Sequence, residues 1–188
     1  MEKEIKIKIN SKQFELSRTL MDKLFEAMDY DESEEDYEAI AQEGEAAARE
    51  ENDDVLELTT DGYLSENGNR VEITYAESEL TGMEGATTTI SFDKNEPKLI
   101  TMLRGGSVTT AMVFESGMRH ICVYETPVMP FELCIHTLKV KNELLENGKI
   151  YLDYIVEFKG AQAERTKFTL MIEEKLPAVL PLDEYNEL

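Results

Sequence analysis

Three glutamates, an arginine and a histidine are the side chains of this sequence best suited to act on a ligand. Glu77, Glu79 and Glu84 cluster around a glycine turn that leads into Thr87-Thr88-Thr89. Residues two apart on a strand share a face, so Glu77 and Glu79 are expected beside Tyr75 and Ile73, which have the character of core residues. A carboxylate carried inside a fold needs a partner, and Arg104 is the candidate. Such a pair could polarise a bound molecule. The plainer alternative is a strand with one solvated face, in which Gly82 and Gly85 set a bend or bulge.

His120, Cys122 and Tyr124 form a second row, opposite Ile121 and Val123 on the same segment. A His-Cys-Tyr row could hold a metal or move a proton. Cys134 and His136 repeat the pattern on another segment. Two histidines and two cysteines would suffice for a tetrahedral zinc site. None of them falls in a C-x-x-C or H-x-x-x-H spacing, however, and the two strands would have to be neighbours in register. The sequence therefore predicts no metal site. It also predicts no cofactor, since no Walker loop or Rossmann glycine pattern is present, and the G-x-S-x-G elbow is missing as well. The stretch Asp29-Tyr-Asp31-Glu-Ser33 opens like a calcium loop and fails as one. Its sixth position is Glu34 where glycine is needed, and its twelfth is Ile40 where a bidentate glutamate is needed.

The elements that must position these groups read as strands. From Val55 to Lys175, apolar and polar residues alternate in nearly every segment, the period of strands with one buried face. Turn residues separate the segments, most plainly Asn67-Gly68, Gly105-Gly106, Ser116-Gly117, Asn147-Gly148 and Lys159-Gly160. Met1 to Asn10 alternates charge with isoleucine and has no uninterrupted apolar stretch, so it reads as a first strand over residues 3–10 and not as a signal peptide. A meander of about 8–10 strands must curl to hide its edges, which predicts a closed or nearly closed antiparallel barrel. Such an interior is either filled by side chains or open to one small ligand. Long final strands with tight turns favour an up-and-down barrel over a Greek key.

Between the first strand and Val55 lies an acidic insertion, residues 11–53. Leu16, Leu20, Leu24 and Met28 recur at every fourth position beside Phe25, one face of a short helix expected to dock on the barrel. A second helical stretch, Glu34 to Glu51, carries only a thin apolar stripe, and Gly44 weakens it by about 1 kcal/mol relative to alanine. The remaining strands occupy residues 54–175 and a tail covers 176–188, so all 188 residues form one expected domain.

Net charge is −21. Residues 22–54 hold fifteen acids and two bases, and so contribute −13 of that excess. A field of this sign repels nucleic acid, whose binding needs phosphates neutralised by Lys and Arg. No apolar run approaches the roughly 20 residues of a membrane helix. Cys122 and Cys134 are expected as reduced thiols in a cytoplasmic protein.

Several motifs carry a resemblance. Tyr75-Ala-Glu77-Ser-Glu79-Leu-Thr81-Gly82-Met83-Glu84-Gly85-Ala-Thr87-Thr88-Thr89 resembles the signature of the YwiB-like family, small bacterial proteins of unknown function. The likeness continues through Arg104-Gly105, Met112-Val113-Phe114-Glu115, the strand pair around His120, Tyr124-Glu-Thr126-Pro127 and Phe131-Glu-Leu133. It implies a calycin or lipocalin-type barrel and leaves the activity open, since fold alone does not give function. Two departures are visible. The acidic insertion is longer than the family usually carries, and Val128-Met129-Pro130 follows Thr126-Pro127 where the family has an aromatic and a glycine.

Taken together, the leading expectation is a non-enzymatic barrel that takes a small, partly apolar ligand, with Glu77, Glu79, Glu84, Arg104, His120 and Tyr124 as candidate contacts. A second is an interaction module that uses the acidic insertion or an edge strand to meet a basic partner or a second copy, with a homodimer as one outcome. A third is a hydrolase or isomerase that pairs Glu79 or Glu84 with His120, which needs those groups around a common cavity.

Overall fold

A computed structural model of the protein describes residues 2–16, 54–158 and 163–174, together with Lys23 and Glu26. Ten strands make up almost all of it: β1 (Glu2–Glu15), β2 (Asp54–Asn67), β3 (Arg70–Ala76), β4 (Thr87–Asp93), β5 (Glu96–Gly105), β6 (Thr109–Phe114), β7 (Arg119–Glu125), β8 (Pro130–Glu143), β9 (Lys149–Phe158) and β10 (Ala163–Glu174). Each pairs antiparallel with its neighbours in chain order, and β1 closes the ring by pairing with both β2 and β10. The expected barrel is therefore present, with ten strands and up-and-down order.

The first strand is longer than its sequence suggests. The turn signal at Asn10-Ser11 does not end it, and Ser11 to Glu15 remain paired with Phe168 to Glu164 of β10. Ser11 to Gln13 pair with β2 as well, and this pairing satisfies backbone groups and outweighs a local turn preference. A similar override occurs at Asn147-Gly148. There a single helical turn, α1 (Leu144–Asn147), precedes Gly148 in the left-handed region, and no two-residue hairpin forms. The two helices expected within the insertion, and the turn at Lys159-Gly160, lie outside the described residues.

Alternation sorts the side chains as a barrel requires. Ile5, Ile7 and Ile9 of β1 are buried while Glu4, Lys6 and Lys8 are exposed. Val71, Ile73, Ile90, Phe92, Ile100, Met102, Phe114, Ile150, Leu152 and Leu170 complete one apolar core inside the ring. Each fully buried side chain of this size contributes about 1.5–3 kcal/mol relative to exposure. Gly62 of β2 faces inward between Ile7 and Tyr75. A Cβ there would lie 2.5 Å from Ile7 Cδ1 and 2.6 Å from the Thr74 carbonyl oxygen, so the core has closed over the missing side chain.

The outer face is not uniformly wet. Asp153 and Ile155 of β9, Arg165 of β10 and His136 of β8 point outward and are nonetheless buried. Arg165 donates two hydrogen bonds to Asp153, Nε to Oδ1 at 2.8 Å and Nη2 to Oδ2 at 2.7 Å, which keeps both buried charges paired. Among the described residues, no helix is long and apolar enough to cross a membrane.

Candidate functional site

One end of the barrel is hollow. A partly enclosed cavity of about 640 Å³ lies where β1 ends and β2 begins, and where β3, β5 and β7 run out. Apolar side chains make most of its wall, among them Ile9, Leu56, Met112, Leu133, Val156 and Phe168. Tyr75, Glu77, Arg104, Tyr124, Tyr154 and Thr166 bring polar atoms to the same space.

Local sequence explains how Glu77 reaches it. Strand β3 ends at Ala76, and the chain then makes a short 3-10 turn over Glu79–Thr81 that closes on Gly82 at φ 69°. The Glu77 amide still donates to the Ala86 carbonyl, at 2.9 Å, so Glu77 keeps the inward direction of the strand while the residues after it leave the sheet. Glu77 is buried and accepts a hydrogen bond from Thr88 Oγ1 at 2.5 Å. Arg104 Nε stands 3.7 Å from Glu77 Oε1. The buried carboxylate and the guanidinium thus meet inside the cavity. Arg104 Nε is itself buried and has no hydrogen-bond partner, while the side chain as a whole keeps 16% exposure, so the guanidinium brings a charged donor group to the cavity wall.

Two tyrosines stand beside this pair. Burial pushes the Tyr75 phenol well above its ordinary value, and the charge of Glu77 adds to the rise while that of Arg104 opposes it. The Tyr154 phenol is raised by burial as well, again with Arg104 in opposition. Both hydroxyls therefore stay protonated and able to donate across the ordinary pH range. The Tyr154 ring packs against Phe114, at 4.8 Å between centroids and 59° between planes, and so marks where the filled core gives way to the hollow.

Of the six candidate contacts, Glu77, Arg104 and Tyr124 line the cavity, and Glu79, Glu84 and His120 do not. Glu79 was expected on the Glu77 face, but the 3-10 turn ends the period of two and leaves its side chain exposed. Glu84 is exposed beyond the same turn, and its carbonyl accepts from Ser107 Oγ at 2.8 Å. His120 faces inward near the start of β7, towards the opposite end of the barrel, where its Nε2 lies 3.6 Å from Glu115 Oε2. The pairing of Glu79 or Glu84 with His120 therefore has no common cavity. A four-residue zinc site fails on the same ground of direction. His120 and Cys122 sit opposite Ile135 and Leu133 on the inner face, whereas Cys134 and His136 face outward. Both cysteines are free thiols.

Tyr154 and Thr166 belong to the site without having been singled out. Their signal was present in the alternation of β9 and β10, where they occupy inward positions otherwise filled by Leu152, Phe168 and Leu170. A polar residue in an inward series is the mark of a lining position.

Comparison with known proteins places this geometry in a family without supplying an activity. Among curated proteins none matches the chain. In fold it is similar to the crystal structure of the ywiB protein from Bacillus subtilis, with 16% identity, a TM-score of 0.54, and 89% of this chain and 92% of that one covered. At that identity the likeness concerns the fold alone. A family model described as a domain of unknown function, DUF1934, matches residues 40–170. That match spans more than half of the chain, which therefore belongs to the DUF1934 family.

Proposed function

We propose that the protein is a small-molecule-binding barrel of the lipocalin or calycin type, and not an enzyme. The observation that carries this reading is the cavity of about 640 Å³ with the Glu77–Arg104 pair in its wall. Its volume lies within the roughly 300–1,000 Å³ of ligand pockets, and its wall combines apolar side chains with converging polar groups. The ligand has an apolar body to match Met112, Leu133, Val156 and Phe168, and one head group that accepts hydrogen bonds. An acceptor is favoured because Arg104, the charged group beside Glu77 in this wall, can only donate, and the protonated hydroxyls of Tyr75 and Tyr154 can donate as well. The reading includes a cytoplasmic location, in keeping with two free thiols in the described chain.

Native mass spectrometry of freshly purified protein should show one copurified small molecule per chain. Anilinonaphthalene sulfonate, an apolar body with one anionic group, should bind with enhanced fluorescence. Replacing Arg104 by Met removes a charge-assisted donor worth about 1.5–3 kcal/mol and should weaken that binding by about tenfold or more. Fluorescence that never rises, or that rises equally in the Arg104→Met protein with unchanged circular dichroism, overturns the reading.

A further inference from the structure

Outside the cavity, β8 and β9 bring a thiol, an imidazole and a carboxylate together on the outer face of the barrel. Cys134 and His136 are two residues apart on β8, so both project from the same side of the sheet. Glu157 of β9 is the direct register partner of Cys134. One ligand atom from each of the three lies within 4.8 Å of the others. His136 Nε2 and Glu157 Oε2 are already 3.0 Å apart. Metal–ligand bonds of about 2.0–2.3 Å hold tetrahedral ligand atoms roughly 3.3–3.7 Å from one another. Small side-chain adjustments therefore separate the present arrangement from a coordinating one.

We propose that Cys134, His136 and Glu157 form a binding site for one divalent transition-metal ion, with zinc the best fit. The ligand set decides the class of metal. A thiolate and an imidazole disfavour hard cations such as calcium and magnesium, and a mixed sulfur, nitrogen and oxygen set suits zinc. Three protein ligands leave a fourth position to solvent or to a further group. Adjacent strands carry all three side chains, and the register shift of β8 between Thr137 and Lys139 follows directly after His136. Bulges of this kind often re-aim the side chains beside them.

Burial lowers the His136 imidazole below its ordinary value, and the charge of Arg119 acts in the same direction while the hydrogen bond and charge of Glu157 act against it. Arg119 is the competitor. Its Nη2 lies 3.5 Å from Glu157 Oε2, and it must turn away from the carboxylate when a metal enters. Its side chain is 57% exposed, so water can replace what it gives up. An exposed ion pair of this kind is weakly held.

A chain with a net charge of −21 attracts divalent cations at many places, so the test must separate this site from the rest. Full-length protein, reduced and stripped by chelator, is titrated with cobalt(II), whose colour reports sulfur ligation. One equivalent should give a thiolate-to-cobalt charge-transfer band with the visible bands of a four-coordinate ion. Zinc should erase both, and calcium in excess should not. Cys134→Ser should abolish the charge-transfer band, and Cys122→Ser should leave it intact. Glu157→Gln, an isosteric change at a partly exposed position, should weaken binding by at least about tenfold, the smallest loss expected even for an outer-shell partner. It also serves where Cys134→Ser fails to fold. No charge-transfer band, a band that survives Cys134→Ser, or cobalt affinity unchanged in Glu157→Gln overturns the proposal.

Discussion

The same ten strands build both ends of the barrel, yet one end is filled and the other hollow. At the filled end the inward positions include Ile5, Val71, Phe92, Ile100, Phe114, Val140, Ile150 and Leu170, all buried in one continuous core. At the hollow end the same inward series continues as Ser11, Gln13, Glu77, Arg104, Tyr124 and Thr166. Branched apolar side chains interdigitate and exclude water, because every atom they bury gains contacts and loses none. A carboxylate and a guanidinium cannot be packed so closely, since each needs polar partners on several sides. A barrel lined by both kinds of residue therefore stores its stability at one end and keeps space at the other.

The largest contrast should come from truncating equivalent walls. Ile73→Ala at the filled end should cost about 2–5 kcal/mol, the usual loss for a large aliphatic side chain in a closed core. Val156→Ala, which borders the cavity, should cost about 1 kcal/mol or less, because its side chain already lacks neighbours on one side. Urea unfolding with matched slopes measures both, and equal losses would mean that the second end is as tightly packed as the first.

Arg104→Met should cost about 2–3 kcal/mol at neutral pH, below the 3–5 kcal/mol of a fully enclosed pair. The discount reflects the residual exposure of the Arg104 side chain, 16%, against 2% for Glu77. Adding Glu77→Gln should recover part of this loss, because the orphaned buried charge is then removed. Strictly additive losses in the double variant would show that the two groups do not interact.

Gly62→Ala should cost about 1–3 kcal/mol by overpacking, since the new methyl meets Ile7 and the Thr74 carbonyl. A loss near zero in the same unfolding experiment would place slack where the structure has none.

The smallest effect concerns alkaline pH. Tyr75 and Tyr154 have folded values raised above the ordinary value of 10.0. Below that pH both the folded and the unfolded chain hold these protons, so the two groups add no pH dependence. Above it the unfolded state ionises first, and stability should fall as pH rises towards the folded values. Melting temperatures across this range should decline less steeply for the Tyr75→Phe/Tyr154→Phe double variant than for the wild type. Equal slopes would place both hydroxyls in water.

Particular residues show how much was legible beforehand. The period of two in Glu4-Ile5-Lys6-Ile7-Lys8-Ile9 and in the segments after Val55 was enough for the strands, their order and the closed ring. Glu77 and Arg104 were recognisable as partners because a buried carboxylate has few ways to be satisfied. Alternation alone places Glu79 on the Glu77 face, but Glu79 lies three residues beyond Ala76, in a turn that Gly82 completes. Sequence alone does not bring Glu157 to Cys134 and His136, because it is far from them along the chain and only register makes it their neighbour.

The alternation of side chains determined that this protein is a ring of antiparallel strands, because a repeat of two is a local property that each segment declares for itself. It could not determine which end is hollow or which rows face each other. Those depend on strand register and on where every neighbouring strand stops, and both are settled only when all ten strands close on one another at once. For that reason His120 and Cys134, similar in sequence setting, end on opposite faces of the sheet, while Glu77 just past β3, Arg104 of β5 and Tyr154 of β9 converge on a single cavity.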